Sequence, residues 1–142
     1  MRDERHIPTE TYKYHNVNPK GYITGDCVER AITLATGLSY EDVVMGLAKT
    51  QCEIFRSGGE LYPVYLNKLG WVKNKQPRKR NGKKYTIDEF CEQVAQPNKS
   101  YVVSCANHLT CVVNKKINDI WDCGHKCVGN YWSIEEWKKK DI

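Results

Sequence analysis

A cysteine stands where a predicted helix begins, at Cys27 in the stretch GYITGDCVERAITLATG. The N-terminus of a helix carries unpaired backbone N–H groups and a partial positive charge, and both stabilise a thiolate. The pKa of such a cysteine falls below the value of about 8.5 that a free thiol has. One of these N–H groups can also stabilise the oxyanion that forms when a thiolate attacks a carbonyl. Cys27 is therefore a candidate nucleophile, and a thiol packed in the core is the alternative.

A nucleophilic cysteine needs a base, and the chain has four histidines. His108 stands out because it lies between two strand-like runs in YVVSCANHLTCVV, where packing usually prefers apolar residues. A histidine at that place can project from a sheet towards the end of a helix. We interpret His108 as the general base, and a core or edge histidine with a satisfied hydrogen bond is the alternative.

A catalytic histidine needs an acceptor for its second ring nitrogen. The segment NKKINDIWDCG offers Asp119 and Asp122, with Trp121 between them to exclude water; both aspartates are also ordinary turn residues. The alternation of side chains between the two faces of a strand distinguishes Asp119 from Asp122. A three-residue loop at 114–116 puts Asp122 directly opposite His108, whereas a two-residue loop puts Trp121 there and leaves Asp119 on the diagonal. Neither loop has the glycine that it prefers.

The elements that must position these residues follow from the apolar pattern. Helical spacing begins at Cys27 and again after Ser39, a short helix is expected near 62–69, and Thr86 with Glu89 forms a capping box before another helix. A strand is expected near 71–75 and a final helix near 134–140. The last third reads as strands, in SYVVSCA, HLTCVV, INDIWD and KCVGNYW. This order predicts an α+β fold, with N-terminal helices packed on a C-terminal antiparallel β-sheet.

The order of cysteine at a helix start, histidine on a late strand and aspartate on the next strand resembles the papain-like cysteine peptidase superfamily. The similarity is greatest to its minimal bacterial branches, such as the bacteriocin leader peptidases, where an Asp–Cys pair also opens the helix, like Asp26–Cys27 in this chain. Most of the chain also resembles a family of small uncharacterised proteins from bacteria and their phages, which supplies no function.

The resemblance to the papain-like enzymes implies their fold and assigns roles. Cys27 is then the nucleophile, His108 the general base and Asp122 the orienting residue, since papain-like relatives usually space the last two by about fifteen residues. Many of these enzymes carry a glutamine about six residues before the cysteine as an oxyanion donor. The chain has Gly21 there, so Asn18 and Thr24 are the candidate substitutes.

Length and composition are typical of a single domain, which we place at 1–142, with an extended N-terminal arm over 1–25. No apolar run approaches the roughly 20 residues of a membrane-spanning helix, and the N-terminus has no apolar signal core. We therefore expect a protein without a membrane segment. Seven cysteines, an odd number, then favour reduced thiols in the cytoplasm over a disulfide framework.

Two further features compete with the thiol site. The basic loop 73–84, KNKQPRKRNGKK, with Arg78, Lys79 and Arg80 at its centre, is either a solvated connector or a site for nucleic acid or an acidic protein.

The motif CGHKC places Cys123, His125 and Cys127 at alternate positions, and Cys105 or Cys111 would complete a tetrahedral zinc site. Strong zinc signals use paired cysteine knuckles, so we expect no metal and no cofactor.

The sequence thus predicts a papain-like thiol hydrolase that cleaves a peptide, isopeptide or amide bond of a protein or peptide through an acyl-thioester. The alternative is a non-catalytic papain-like binding module that engages an acidic protein or nucleic acid through the basic loop.

Overall fold

The structure, a computed structural model, describes residues 6–135. In that range the chain forms an α+β fold of four α-helices and one six-stranded sheet, which confirms the predicted class. The helices are α1 (Cys27–Thr36), α2 (Tyr40–Ile54), α3 (Leu61–Lys68) and α4 (Ile87–Gln93). The strands are β1 (Tyr12–Tyr14), β2 (Val72–Asn74), β3 (Ser100–Cys105), β4 (His108–Val113), β5 (Lys116–Asp119) and β6 (Tyr131–Ser133).

The sheet has the order β1-β5-β4-β3-β6-β2. All its pairs are antiparallel except β1 with β5, which are parallel. The prediction of a purely antiparallel, C-terminal sheet is therefore wrong in two respects. The N-terminal segment supplies an edge strand, and so does β2 in the middle of the chain. The predicted helix at 134–140 lies almost entirely outside the described residues.

The sheet is buried on both faces, so apolar residues of its central strands β3 and β4 point to both sides. Helices α1, α2 and α3 pack on one face, in a core that includes Val102 of β3 and Cys111 of β4. Helix α4 and the segment after β5 cover the other face, where Val103 and Val112 point. The alternation of neighbouring residues between the two cores is the period of a strand.

Local signals set the ends of the helices. Helix α1 begins at Cys27 and ends where Gly37 adopts φ 77°, a left-handed conformation that glycine tolerates without a steric penalty. The Ser39 hydroxyl accepts a hydrogen bond from the Asp42 amide at the start of α2, and Thr86 and Glu89 form the predicted capping box of α4. No helix within the described range has the length and apolarity needed to span a membrane.

Candidate active site

His108 and Asp119 form a buried hydrogen-bonded pair at adjoining strands. Nε2 of His108 lies 2.6 Å from Oδ2 of Asp119, and the two side chains are 12% and 3% exposed. His108 is the first residue of β4 and Asp119 the last residue of β5. The accepting carboxylate is thus Asp119, and the predicted pairing of His108 with Asp122 is wrong.

The turn between β4 and β5 decides which aspartate reaches His108. Val113 pairs with Lys116, so the loop has two residues, Asn114 and Lys115, at φ 50° and 64°. Positive φ at both positions is the signature of the hairpin turn that matches the twist of its strands. With this register Asp119 lies diagonal to His108 on the same face. Asp122 instead accepts a hydrogen bond from the Gly124 amide at 3.1 Å, as a turn residue.

Strand β1 holds the backbone of Asp119 in place. The Tyr12 hydroxyl donates to the Asp119 carbonyl oxygen at 3.1 Å, and the His15 amide donates to the same oxygen at 3.0 Å. The second carboxylate oxygen, Oδ1, accepts from the amides of Ile120 at 2.7 Å and Trp121 at 3.3 Å. Both carboxylate oxygens thus have hydrogen-bond partners, which holds the side chain in its orientation towards His108. Sequence reasoning missed Tyr12, because three residues in a polar arm give no clear strand signal.

Cys27 lies beside the His108–Asp119 pair, and Cys27 and His108 line the same cleft. A hydrogen bond with His108 lowers the pKa of Cys27, against the opposing effect of burial, and a backbone hydrogen bond from Leu109 lowers it further. Burial lowers the pKa of His108, but its hydrogen bonds with Asp119 and Cys27 outweigh burial and raise that pKa to about 9. Because Nε2 is bonded to Asp119, Nδ1 is the ring nitrogen left for Cys27. Both shifts favour the thiolate–imidazolium form of the pair.

The start of α1 leaves its first amides available to an anion. Asp26 at the N-cap makes no side-chain cap hydrogen bond, and the Arg30 amide is the first that bonds back into the helix. The buried Asp26 carboxylate instead forms an ion pair with the Arg30 guanidinium and accepts hydrogen bonds from Tyr40 at 2.8 Å and Asn18 at 3.0 Å. These contacts join the preceding loop to α1 and α2 and so place Cys27.

Neither predicted oxyanion substitute borders the sulfur. The Asn18 amide group donates to Asp26, its oxygen accepts from the Lys20 amide at 2.9 Å, and Thr24 is exposed. Neither residue lines the cleft at Cys27. The donors that the structure does place there are the backbone amides of the first turn of α1.

Cys27 and His108 lie in the wall of a cleft of about 330 Å³. Its walls come from the start of α1, the start of β4 and the turn before α3, with Cys27, Val28, Gly58, Gly59, Tyr62, Cys105, Asn107, His108 and Leu109 as lining residues. The Trp121 ring packs edge-on against His108, with ring centroids 5.0 Å apart, and shields the imidazole from one side. Cys27 and His108 therefore border the cleft, while Asp119 behind them is buried.

Two further thiols lie at the same place. Cys105 pairs with His108 across the β3–β4 hairpin, and Cys123 donates to Oδ2 of Asp119 at 3.9 Å. Interaction between the two thiols lowers the pKa of Cys105 and, together with burial, raises that of Cys123. A two-residue turn between β3 and β4 places Cys105 opposite His108, so the position of Cys105 could have been predicted from the sequence. Cys123 lies beyond the end of β5, where no apolar period indicates its position.

The alternative of a zinc site in CGHKC is not supported among the described residues. Cys123 is fully buried, whereas His125 and Cys127 are exposed. Among residues 6–135, His108, Asp119 and Cys123 are instead the ligating side chains that cluster, with their donor atoms all within 4.8 Å of one another.

The basic loop is a structured hairpin rather than an open connector. Arg78 and Lys84 form an isolated antiparallel bridge, and the Lys79 amide donates to the Lys83 carbonyl. The Lys79 ammonium forms an ion pair with Glu89 of α4, so Arg78 and Arg80 are the residues of its central basic triplet that face solvent. This hairpin lines no part of the cleft at Cys27.

Comparison with protein-family models, with curated proteins and with solved structures found no match to this chain.

Proposed function

We propose that the protein is a thiol hydrolase that cleaves a peptide, isopeptide or amide bond, with Cys27 as nucleophile, His108 as general base and acid, and Asp119 as orienting residue. The observation that carries the proposal is the 2.6 Å hydrogen bond between His108 and Asp119, together with the position of Cys27 and His108 in the lining of one cleft. A nucleophile bonded to a base that a third group orients is the constellation of acyl-transfer enzymes.

The proposed reaction has two halves. The Cys27 thiolate attacks the carbonyl carbon, and the oxyanion faces the uncapped amides at the start of α1. The His108 imidazolium donates its proton to the leaving amine as the carbon–nitrogen bond breaks, which leaves an acyl-thioester. A water molecule then attacks the thioester, His108 takes its proton, and the carboxylic acid and the Cys27 thiolate are released with His108 again protonated.

The shape of the surface favours a polypeptide substrate. The cleft adjoins a second depression of about 370 Å³, and both are bordered by Val28, Gly58 and Tyr62. Apolar side chains of α2 and α3, among them Leu47 and Leu61, line this second depression. An extended chain across Cys27 therefore has a continuous surface on which to bury apolar side chains.

The resemblance of the sequence motifs to the papain-like peptidases supports the same assignment. The motif order is retained when Asp119 replaces Asp122 as the orienting residue, because Asp119 follows His108 as the last residue of the next strand. On this proposal the domain is a minimal papain-like enzyme, and its oxyanion donors are backbone amides.

Labelling with electrophilic peptide and ubiquitin-like probes tests the proposal. Wild-type protein should form one adduct, on Cys27, and Cys27→Ala should form none. Cys52 and Cys127 are exposed thiols in the same molecule, so Cys52→Ser and Cys127→Ser are matched controls that should label like wild type. Labelling of Cys52 and Cys127 ahead of Cys27 would refute a catalytic thiol.

A second candidate function is the binding of nucleic acid or an acidic protein through the basic hairpin. The observation that favours it is the exposure of Arg78 and Arg80, with Lys83 and Lys84, on one short hairpin. Phosphate contacts by such residues weaken steeply with salt. Salt-dependent retention on heparin or DNA, lost on substitution of Arg78 and Arg80, would support binding. Retention that does not change would leave the hairpin as a solvated connector.

A further inference from the structure

Three metal-ligating side chains, His108, Asp119 and Cys123, cluster at the His108–Asp119 hydrogen bond, and Cys105 pairs with His108 on the neighbouring strand. The donor atoms of His108, Asp119 and Cys123 lie within 4.8 Å of one another. The Cys105 thiol lies within interaction range of Cys123, and Cys105 pairs with His108 across the hairpin, so it is the candidate for a fourth donor. The proposed hydrolysis uses neither thiol, so this pair of cysteines has no role yet.

We propose that these four side chains form a binding site for one zinc ion, with His108, Asp119, Cys105 and Cys123 as ligands. Zinc takes four ligands in a tetrahedron and accepts thiolate, imidazole and carboxylate donors in any combination. The set of two sulfurs, one nitrogen and one oxygen has the borderline softness that selects zinc over calcium or magnesium.

For His108, Asp119 and Cys123 the geometry requires only a modest contraction, whereas the Cys105 sulfur lies outside their 4.8 Å group and must move towards it. Ligand atoms about 2.0–2.3 Å from a tetrahedral zinc lie roughly 3.3–3.8 Å from one another. The Cys123 sulfur is already 3.9 Å from Oδ2 of Asp119. The His108–Asp119 contact of 2.6 Å must instead open, because an ion replaces the proton between Nε2 and Oδ2.

A buried hydroxyl gives a second, independent reason. Thr110 is 1% exposed, and its Oγ1 has no hydrogen-bond partner among the described residues. Oγ1 lies within interaction range of the Cys123 sulfur, so that it can donate to a Cys123 thiolate. A buried donor that lacks an acceptor costs free energy, and a metal-bound thiolate would provide the acceptor.

The ion has a route to this site. Cys105 and His108 both line the cleft at Cys27, so two of the four ligands border solvent-accessible space. Binding would release the two thiol protons and the proton of the His108–Asp119 hydrogen bond, as ligation by deprotonated side chains requires. If the proposed hydrolysis is correct, a zinc-loaded molecule lacks its base, so zinc and catalysis exclude each other.

Titration of the reduced, metal-free protein with Co²⁺ tests the site without any assay of activity. Cobalt reports thiolate ligands by a charge-transfer band in the near ultraviolet and tetrahedral geometry by its visible bands, and Zn²⁺ added afterwards should displace it. We expect both signals to saturate at one equivalent in the wild type. Cys105→Ser, Cys123→Ser and His108→Gln should each lower the affinity by at least about tenfold.

Two cysteines supply matched controls, Cys91 as a buried thiol of α4 and Cys127 as an exposed one. Cys91→Ala and Cys127→Ser should titrate like the wild type. If circular dichroism shows that Cys123→Ser does not fold, Cys105→Ser and His108→Gln decide the matter. The proposal is overturned if the wild type shows no thiolate band, if Cys105→Ser and His108→Gln leave the titration unchanged, or if Cys127→Ser abolishes it. None of these results depends on whether Cys27 is a catalytic nucleophile.

Discussion

Nε2 of His108 lies 2.6 Å from Oδ2 of Asp119, across the diagonal of two neighbouring antiparallel strands. The hairpin register creates this contact, because a slip of one residue turns every side chain of a strand to the opposite face. Tyr12 and His15, which bond the Asp119 carbonyl, hold the end of β5 where the contact requires it. The candidate site thus depends on a turn and an edge strand as much as on its own three side chains.

The two aspartates after β4 should differ sharply in their effect on Cys27. Asp119→Asn removes the carboxylate that accepts a hydrogen bond from His108, and the loss of the corresponding carboxylate lowers kcat by on the order of 10⁴ in a Ser-His-Asp enzyme. Asp122→Asn leaves His108 untouched, since Asp122 bonds only the Gly124 amide in the described structure. Rates of Cys27 alkylation and of probe hydrolysis, measured on both variants, check this ranking.

Circular dichroism spectra provide the folding control for that comparison. A larger loss in Asp122→Asn than in Asp119→Asn, with both variants folded, would return the orienting role to Asp122. Small and equal losses would argue against any triad.

The rate of Cys27 alkylation should rise with pH at a lower midpoint than for an ordinary cysteine. The hydrogen bond with His108 lowers the pKa of Cys27, so the thiolate forms below the usual value of about 8.5. The imidazolium partner is then lost as the pH rises through about 9, the raised pKa of His108. Iodoacetamide labelling from about pH 5 to about pH 10, read by peptide mass spectrometry, gives the profile.

His108→Gln should move that midpoint upward. The largest cause of the lowered pKa is then absent, whereas burial of Cys27, which raises the pKa, remains. Cys52 and Cys127, both exposed, serve as reference thiols within the same sample. An unchanged midpoint in His108→Gln would show that His108 does not stabilise the thiolate.

Removal of the Tyr12 hydroxyl should destabilise the fold. Tyr12 is fully buried, and Tyr12→Phe deletes its hydrogen bond to the Asp119 carbonyl while the His15 amide continues to satisfy that oxygen. A cost of about 1 kcal/mol in the free energy of unfolding is therefore expected. Urea unfolding measures it, with Tyr22→Phe at an exposed site as the control. Equal stability of the two variants would mean that β1 contributes nothing through this bond.

Exposed arginines of the basic hairpin should matter for polyanion binding and little for stability. Arg78→Ala with Arg80→Ala removes two solvent-facing charges, whose contribution to folding is small. Lys79→Ala also removes one charge but breaks the ion pair with Glu89. If the hairpin binds nucleic acid, the double variant should elute from heparin at lower salt. A greater loss of retention in Lys79→Ala would contradict the assignment of the exposed arginines.

The local part of the fold could be predicted from the sequence, because its causes are local. Gly37 ends α1, Ser39 caps α2, and Thr86 with Glu89 caps α4, each through contacts within a few residues. The edge strand β1 could not be predicted, since its stability comes from pairing with β5, more than a hundred residues later. Parallel pairing over three residues leaves almost no pattern in the sequence.

The choice between Asp119 and Asp122 failed for a related reason. Turn preferences disfavour the two-residue loop because Lys115 needs positive φ without being glycine, and the structure has it at φ 64°. Contacts that no sequence rule describes offset that strain. The Lys115 ammonium donates to the Glu92 and Ala95 carbonyls at the C-terminal end of α4, at 3.1 and 3.2 Å. A cation at the C-terminus of a helix is favourable, so tertiary structure outweighs the turn preference.

Two substitutions of Lys115 should separate these opposing effects. Lys115→Met keeps the strained φ and loses both hydrogen bonds to α4, so it should destabilise the fold by about 1–2 kcal/mol. Lys115→Gly loses the same bonds but relieves the backbone strain, which is worth roughly 1 kcal/mol. Its free energy of unfolding should therefore be closer to that of the wild type. Urea unfolding of both variants, with Lys116→Met as the control at an exposed strand position, yields the two differences. Equal destabilisation by Lys115→Met and Lys115→Gly would mean that the turn at Lys115 is not strained. The contacts of Lys115 with α4 would then not be needed to explain the two-residue loop of the hairpin.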